Sequence, residues 1–355
     1  MPPNLGLAQL SNAFLVAALL SYSIAVLAFA GDFAFGRRRG SSAEGQAQSQ
    51  ARVPELVGAA GGQAASDPVP GGGPATPRSE AKIAAREGLP AREGKPGRWV
   101  RAALVATSAG LIAHVLGVII RGLAVHRIPW GNMYEFITAL TCVAVIFFLG
   151  LMIRYRVYYL GLFVMGAVVV ALGLAQTIIY TAAGPLVPAL QSYWLSIHVT
   201  AITLAVGTYF VAAVLALVYL VADRHARRVA KRERQAAGRP TSSDAIMRRL
   251  PAPEVLDSLA YRTVMFAFPI WTFGIIAGAI WADQAWGRYW GWDPTETWAF
   301  ITWVVYACFL HARATVGWRG RKAQVIQLIG FGCLLFNLVG VSLFITGLHS
   351  YAGLN

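Results

Sequence analysis

The stretch from Trp286 to Trp298, WGRYWGWDPTETW, places four tryptophans, a tyrosine and two carboxylates within thirteen residues. Long apolar runs lie on both sides of it, so it is predicted to lie at a membrane surface between two spanning helices. Tryptophan and tyrosine gather at such interfaces because one end of each ring is apolar and the other is polar. An interfacial belt is therefore one interpretation. The aromatic density also suits a flat, apolar ligand with polar edges, such as a porphyrin.

The end of this stretch also carries a helix-start pattern. Asp293 is suited to the N-cap, Pro294 to the first helical position and Glu296 to the third. Asp293 and Glu296 are therefore expected to shape the turn and cap the helix that follows. Capping does not exclude a role in binding.

The composition indicates an all-α, polytopic membrane protein. Of 355 residues, 57% are hydrophobic and 13% charged, and the mean hydropathy is +0.55. About eight apolar runs are long enough to cross a hydrocarbon layer of about 30 Å, at 8–30, 99–122, 134–153, 158–180, 196–221, 259–282, 297–317 and 325–346.

The distribution of basic residues predicts the orientation. Of the 30 Lys and Arg residues, 27 fall in alternate loops that would then be cytoplasmic. Eight spans place both termini outside the cytoplasm. The net charge of +14 therefore reflects membrane topology, and no nucleic-acid partner is expected. Three cysteines lie within apolar runs and form no disulfide or metal pattern.

The chain divides into three predicted parts. Residues 1–30 form a first transmembrane helix, retained in place of a signal peptide because no Lys or Arg precedes the apolar run. Residues 31–98 are a disordered basic cytoplasmic linker. Residues 99–355 form a seven-helix membrane domain, which includes a cytoplasmic loop at 223–258 and an extracytoplasmic segment at 283–298.

The predicted topology assigns each histidine a position relative to the membrane. His198 and His349 are predicted on the membrane face that carries the tryptophan-rich stretch. A single such histidine is more often a polar interfacial residue, but two on one face could saturate a haem iron. His311 is predicted deep in the seventh span, where an ionisable group indicates function or a bond to a neighbouring helix. His114 and His126 are expected to be structural.

Further candidates surround this face. Arg121, Arg127 and Arg288 are the cations predicted on the outer side, and guanidinium groups pair well with the two propionates of haem. The alternative for Arg121 is snorkelling from a helix end. Trp286 and Trp290, four residues apart, would share a face if their stretch is helical. Trp292 and Trp298 would then complete an aromatic shelf.

The tryptophan-rich stretch resembles the WWD signature of the haem-handling proteins of cytochrome c maturation. The resemblance continues through 299–320 (AFITWVVYACFLHARATVGWRG) and includes 121–136 (RGLAVHRIPWGNMYEF). It runs from about residue 104 to the C-terminus, excluding 223–255, and points to the CcsA (ResC) branch of the system II cytochrome c synthases. Thr295 departs from the family pattern, where a lysine is expected.

This resemblance implies a function. The chain would move haem b to the outer face of the plasma or inner membrane and present it for thioether attachment to apocytochrome c with a Cys-x-x-Cys-His segment. His198 and His349 would be the external axial ligands, and His311 a transient inner haem site. The haem-binding set would further comprise Trp286, Arg288, Trp290, Trp292, Asp293, Glu296, Trp298 and Arg121.

Several alternatives stay open. The resemblance implies a haem lyase subunit that works with a CcsB (ResB) type partner, which would supply a second ligand beside His311. A haem exporter or carrier without ligation activity is the first alternative, and a system I chaperone of the WWD family is the second. A b-type electron-transfer cytochrome is disfavoured because no predicted membrane span carries two histidines. An unrelated transporter with an aromatic belt would bind no haem.

Overall fold

The computed structural model describes residues 3–35, 96–185, 190–234, 250 and 252–349. Every regular element within these ranges is helical. The prediction of an all-α polytopic membrane protein is confirmed.

Eight long helices follow one another along the chain. They are α1 (Leu5–Phe35), α2 (Arg98–Val125), α3 (Met133–Tyr155), α4 (Gly161–Thr177), α5 (Tyr193–Arg234), α6 (Pro253–Trp286), α7 (Pro294–Thr315) and α8 (Arg321–Leu335). A 3-10 turn, Tyr158–Leu160, precedes α4. A π-helical segment, Phe336–Val341, and a short helix α9, Ser342–Phe344, continue α8.

Seven helical segments within the described ranges are long and apolar enough to cross a membrane. They correspond to all the predicted spans except the seventh, at 297–317. That span forms the 22-residue helix α7, whose apolar character is diluted by Glu296 at its start and by His311 and Arg313 near its end. The number of crossings and the side on which the termini lie remain predictions.

Several boundaries differ from those expected from the sequence. Helix α1 continues to Phe35, and α5 continues to Arg234, within the predicted cytoplasmic loop. This extension is polar and basic, and an Arg227–Asp223 pair four residues apart supports it. The predicted linker falls mainly on residues 36–95, and much of the predicted loop on 235–249. Both lie outside the described residues.

Small residues allow the helices to approach closely. Helix α1 packs along α2 and α4, α5 packs along α6, and α7 packs on α8. A Cβ atom at Gly110 would lie 2.6 Å from the ring of Tyr22, so only glycine fits against α1 at that point. In the second half of the chain, α5 and α6 enclose a core with α3, α7 and α8 that includes Tyr209, Trp271 and Tyr306.

The antiparallel order of α5 to α8 brings distant segments to one end of the bundle. The start of α5, the end of α6, the start of α7 and the segment after α9 meet there, beside the loop between α2 and α3. We call this the pocket end. The opposite end carries the basic last turn of α5 and the start of α8.

Candidate functional site

His198 lies in the second turn of α5 and faces α6. Its Nδ1 is 2.7 Å from the backbone carbonyl of Gly274, and its ring stacks on Trp281 with centroids 6.0 Å apart and planes 14° apart. A Cβ atom at Gly278 would lie 2.6 Å from His198 Nδ1. The absence of a side chain at Gly278 therefore makes room for the imidazole.

His349 reaches the same place from the segment that follows α9. Its ring meets Trp286 at a centroid distance of 4.9 Å and Trp281 at 5.6 Å, both edge-on. Its Nδ1 is 2.8 Å from Oδ2 of Asp293. Trp281 therefore contacts both imidazoles, which lie 151 positions apart in the chain.

Asp293 joins the start of α7 to the segment that carries His349. Its side chain accepts a hydrogen bond from the amide of Thr295 at 3.2 Å, and Oδ1 accepts one from the amide of Leu348 at 2.7 Å. A Cβ atom at Gly347 would lie 2.6 Å from Oδ1, so only glycine permits this approach. Sequence reasoning found the cap but missed the contact with His349.

The electrostatics of Asp293 follow from these contacts. Burial acts to raise the pKa of the carboxyl, but the hydrogen bonds from His349, Leu348 and Thr295 outweigh it, and the pKa is held below its usual range. The carboxylate is therefore charged at neutral pH and orients His349.

The predicted cap of α7 is confirmed, including its reciprocal bond. Oε2 of Glu296 accepts hydrogen bonds from the amides of Asp293 at 3.1 Å and Gly291 at 2.9 Å. Trp292, between these amides, adopts a left-handed backbone with φ of 56°. This conformation is unfavourable for a bulky residue and is held by the hydrogen bonds on either side.

His198 and His349 line one pocket with a cavity volume of about 210 Å³. Its walls come from α3, α5, α6, α8 and the α2–α3 loop, and are mainly apolar. The aromatic side chains that line it are Trp130, Phe136, Trp271 and Trp281.

The hydrogen bonds fix which nitrogen of each histidine is available. Nδ1 of His198 faces a carbonyl oxygen and Nδ1 of His349 faces a carboxylate, so each Nδ1 carries a proton and donates it. Neither Nε2 atom has a hydrogen-bond partner within the described ranges. In a neutral imidazole of this tautomer, Nε2 holds the lone pair that binds a metal.

The structure separates the predicted aromatic shelf into parts. Helix α6 ends at Trp286 because Gly287 adopts a left-handed conformation with φ of 70°. Trp286 and Trp290 therefore do not share a helical face, because the condition that this stretch is helical is not met. Trp290 and Trp292 instead contact Phe300 on the outer surface of α7.

Two further predicted residues also lie apart from the pocket lining. The ring of Trp298 lies 4.4 Å from that of Phe336 and packs α7 against the π-helical segment. Arg288 is exposed, and its guanidinium group folds back over Gly291. Neither side chain lines the cavity.

Arg121 is engaged elsewhere in the fold. Its side chain is 2% exposed, with Nε 3.0 Å from Glu135 Oε1, and its NH2 group donates to the carbonyl of Thr181 at 2.7 Å. Arg127 binds the other oxygen of Glu135 at 2.8 Å. Arg121 is therefore already paired with a buried carboxylate, which Arg127 shares, and its contact with a propionate stays a prediction. Glu135 also accepts from the amide of Gly131 and so holds the loop that bears Trp130.

The remaining histidines are spread over the molecule. His311 is exposed on the outer face of α7, away from the pocket. His114 is buried and bonds the carbonyl of Thr138 and the hydroxyl of Tyr22. His126 forms the left-handed C-cap of α2. His225 lies in the basic part of α5.

Sequence reasoning missed several pocket residues. Trp281 lies inside a predicted span and was not distinguished from other apolar residues there. The signal that could have found it is its position at the same end of the bundle as the tryptophan-rich stretch, five residues before Trp286. Trp130 lies within the 121–136 segment, but no pattern in the sequence assigns it a role.

The fold and the site define an all-helical, polytopic membrane protein that holds two oriented histidines in an aromatic pocket. The family model described as Cytochrome C assembly protein matches residues 130–349, a range that includes both pocket histidines. The chain belongs to this family, in its branch of cytochrome c biogenesis proteins CcsA.

Individual relatives agree with this classification. The chain is 35% identical to CcsA of Heterosigma akashiwo over 251 residues, which cover 64% of this chain and 77% of the relative. It is 38% identical to CcsA of Guillardia theta over 242 residues, with the same two coverages.

A solved structure shares the fold. The cytochrome c heme lyase CcmF matches with a TM-score of 0.56 at 15% sequence identity, over 94% of this chain and 46% of CcmF. The chain thus spans less than half the length of that protein.

Proposed function

We propose that this protein is the haem-handling subunit of a system II cytochrome c synthase, and that its pocket presents haem b for attachment to apocytochrome c. Haem is the substrate here, and His198 and His349 hold its iron from the two axial sides. The observation that carries the proposal is that both histidines line one pocket with Nδ1 bonded and Nε2 left available.

The number of ligands favours a macrocycle over a bare metal ion. Within the described ranges, no group of three or more His, Cys, Asp or Glu could hold a metal. A protein-bound zinc ion takes three or four such ligands. An iron porphyrin already has four ligands from its ring and needs two more, which a pair of imidazoles supplies.

The surroundings of the histidines suit this substrate. Trp130, Trp271 and Trp281 give the pocket broad apolar walls, and a macrocycle has broad apolar faces. The two histidines differ in their support, since a backbone carbonyl holds His198 and a carboxylate holds His349. A charged partner raises the basicity of the ring it binds, so His349 is the stronger of the two ligands.

Haem attachment joins its two vinyl groups to the thiols of a Cys-x-x-Cys-His segment. The chain's own residues contribute position and electrostatics to this reaction. Trp286 and Trp281 fix the ring of His349, and Asp293 fixes its tautomer. The histidine of the incoming cytochrome can then replace one axial imidazole.

Other predicted binding residues take supporting roles in this proposal. Glu296 holds the backbone of the tryptophan-rich loop. The exposed cluster of Trp290, Trp292 and Phe300 lies beside the start of α7, where it can contact an incoming protein.

The proposal includes a partner and a location. His311 is exposed on α7, within the span predicted at 297–317, and an ionisable group that faces lipid is costly. A CcsB (ResB) type subunit that covers this face would remove the cost and could add a second ligand beside His311. The distribution of basic residues supports a location of the pocket on the extracytoplasmic face, and the membrane we propose is the plasma or inner membrane.

The test is to produce the chain together with a CcsB-type subunit and an apocytochrome c, and to assay covalent haem. The proposal expects a thioether-linked cytochrome with the parent chain and none with the His198→Ala, His349→Ala variant. The alternative of a carrier without ligation activity predicts haem in the purified chain but no thioether product in any combination. A product that forms equally well with the variant would contradict the proposed site.

A further inference from the structure

The bundle of α5 to α8 contains a file of buried polar groups without partners. Within the described ranges, eight side-chain atoms of this bundle are buried and lack a hydrogen bond. They belong to Thr203, Tyr209, Trp271, Tyr306, Gln324, Gln327 and Asn337. None of these groups belongs to the histidine contacts described above.

Helix α8 and its π-helical continuation supply one side of the file. Gln324, Gln327, Gly330 and Asn337 are all buried and lie on the same face, at spacings of three and seven residues. The positions that face the core of an apolar bundle are ordinarily aliphatic. At these four positions the residues are amides and a glycine, interspersed with the buried aliphatic residues Leu334 and Val341.

Aromatic residues of α5, α6 and α7 supply the other side. The phenol end of Tyr306 lies over Gly330, since a Cβ atom there would be 3.2 Å from its Cζ. Tyr209 stacks on Tyr306 with centroids 4.0 Å apart, and Trp271 meets the edge of Tyr209 at 6.2 Å. The file thus passes from α8 through the centre of the bundle.

The file ends at a group of hydrogen-bonded polar residues on one side and at the histidine pocket on the other. At the opposite end, Gln324 donates to Asp257 at 2.8 Å, and Asp257 pairs with Arg313 at 2.9 Å. At the pocket end, Trp271 and Asn337 both line the cavity that holds the two histidines. From Gln324 to Asn337 the file extends roughly 20 Å along the helix axis.

A dry interior would make this file costly in free energy. An unpaired buried donor or acceptor costs more free energy than a typical hydrogen bond contributes. Eight together would cost as much as the net stability of an ordinary domain. Buried polar groups of this kind are normally satisfied by ordered water.

We propose that the file is a binding site for a chain of internal water molecules, which connects the Asp257–Arg313 pair to the histidine pocket. Water fits because the file offers both donors and acceptors. Gln327 offers both through one amide, and the hydroxyls of Tyr209 and Tyr306 can do either. The π-helical segment around Asn337 agrees with this role, because such segments are frequent at functional sites.

Hydroxyl-radical footprinting of the full chain in detergent tests this proposal without reference to haem. Radicals formed by a short X-ray pulse oxidise side chains that touch bound water. Tyr209, Tyr306 and Tyr22 are all 0% exposed, but Tyr22 bonds His114 on α2 and lies outside the file. We expect Tyr209 and Tyr306 to be oxidised at least several-fold faster than Tyr22.

Substitution of Gln327 tests whether the bound water lies within the file. Gln327→Leu removes the central amide and should slow the oxidation of Tyr306 several-fold. Gln176→Leu, the same change at a glutamine on α4 that bonds Tyr134, should leave it unchanged. Oxidation of Tyr209 and Tyr306 as slow as that of Tyr22, or insensitive to Gln327→Leu, would overturn the proposal. Because no haem is needed, this result is separate from the outcome of the haem experiments.

Discussion

The carboxylate of Asp293 lies 2.8 Å from Nδ1 of His349, and this contact links the tryptophan-rich segment to the C-terminal part of the chain. The same carboxylate caps α7 and accepts the amide of Leu348. One side chain therefore sets the start of a helix and the orientation of a ligand. This dual role explains why an acidic residue follows the tryptophans.

Replacing Asp293 with asparagine should weaken haem binding and raise the haem midpoint potential. Asparagine can still accept hydrogen bonds, but it removes the charge that makes His349 basic, and a less basic ligand stabilises ferric iron less. Loss of such a supporting partner costs about 10–100-fold in metal affinity. The measurement is haem titration and redox potentiometry of purified protein.

The matched control for that change is Asp283→Asn, which alters a nearby acid in the last turn of α6 that has no hydrogen bond to a histidine ring within the described residues. It should leave the potential unchanged. Equal potentials for Asp293→Asn and the parent chain would show that Asp293 acts only as a cap.

The stability that Asp293 contributes should depend on pH. Its pKa in the folded protein is held below its usual range, so the folded state favours the charged form. That contribution is complete above the carboxyl's usual pKa and is lost as pH falls through the lowered folded value. The difference in unfolding temperature between the parent chain and Asp293→Asn should therefore narrow on acidification. A difference that stays constant from neutral to acidic pH would contradict this account.

Gly278→Ala should prevent His198 from binding haem iron, although the histidine itself is unchanged. The added Cβ atom would lie 2.6 Å from His198 Nδ1 and would displace the ring from the carbonyl of Gly274. We expect the low-spin haem signal to fall towards that of His198→Ala. Gly173→Ala is the control, because no atom lies within 4 Å of the added Cβ at that helical position. Normal haem binding by Gly278→Ala would contradict this account, because it would show that the His198 imidazole need not hold the position seen here.

Glu135→Ala should destabilise the protein strongly, because it leaves Arg121 buried without its carboxylate. Removing one partner of a buried ion pair costs about 3–5 kcal/mol. The helical pair of Asp223 with the exposed Arg227, four residues apart, provides a matched control, and Asp223→Ala should cost about 0.3–0.5 kcal/mol. Denaturant titration in detergent measures both. Similar costs for the two variants would refute the structural role given to Glu135.

Local signals in the sequence were sufficient for much of this structure. The long apolar runs predicted the helices, because a membrane requires every backbone group to be bonded within the chain. The sequence Asp293-Pro294-Thr295-Glu296 predicted the cap of α7, since capping depends on neighbouring residues alone. The alternation of basic loops placed His198 and His349 on one face, and the structure brings both to one pocket.

The features that could not be predicted depend on contacts between distant segments. Arg121 was predicted to be available for a haem propionate, because the sequence does not show that Glu135, fourteen residues away, is its partner. Trp290 was placed beside Trp286 because the turn at Gly287 was not anticipated. The file of polar groups on α8 was invisible in the sequence, since glutamine and asparagine in an apolar run do not reveal which face they occupy.

The most direct test of the central claim is the reduced absorption spectrum of the purified protein, recorded beside His198→Ala, His349→Ala and the double variant. His225→Ala, in the basic part of α5, is the control. The account predicts a low-spin haem spectrum in the parent chain and the control, a high-spin or weakened spectrum in each single variant, and loss of the signal in the double variant. A double variant with the spectrum of the parent chain would contradict the claim that these two histidines hold the haem.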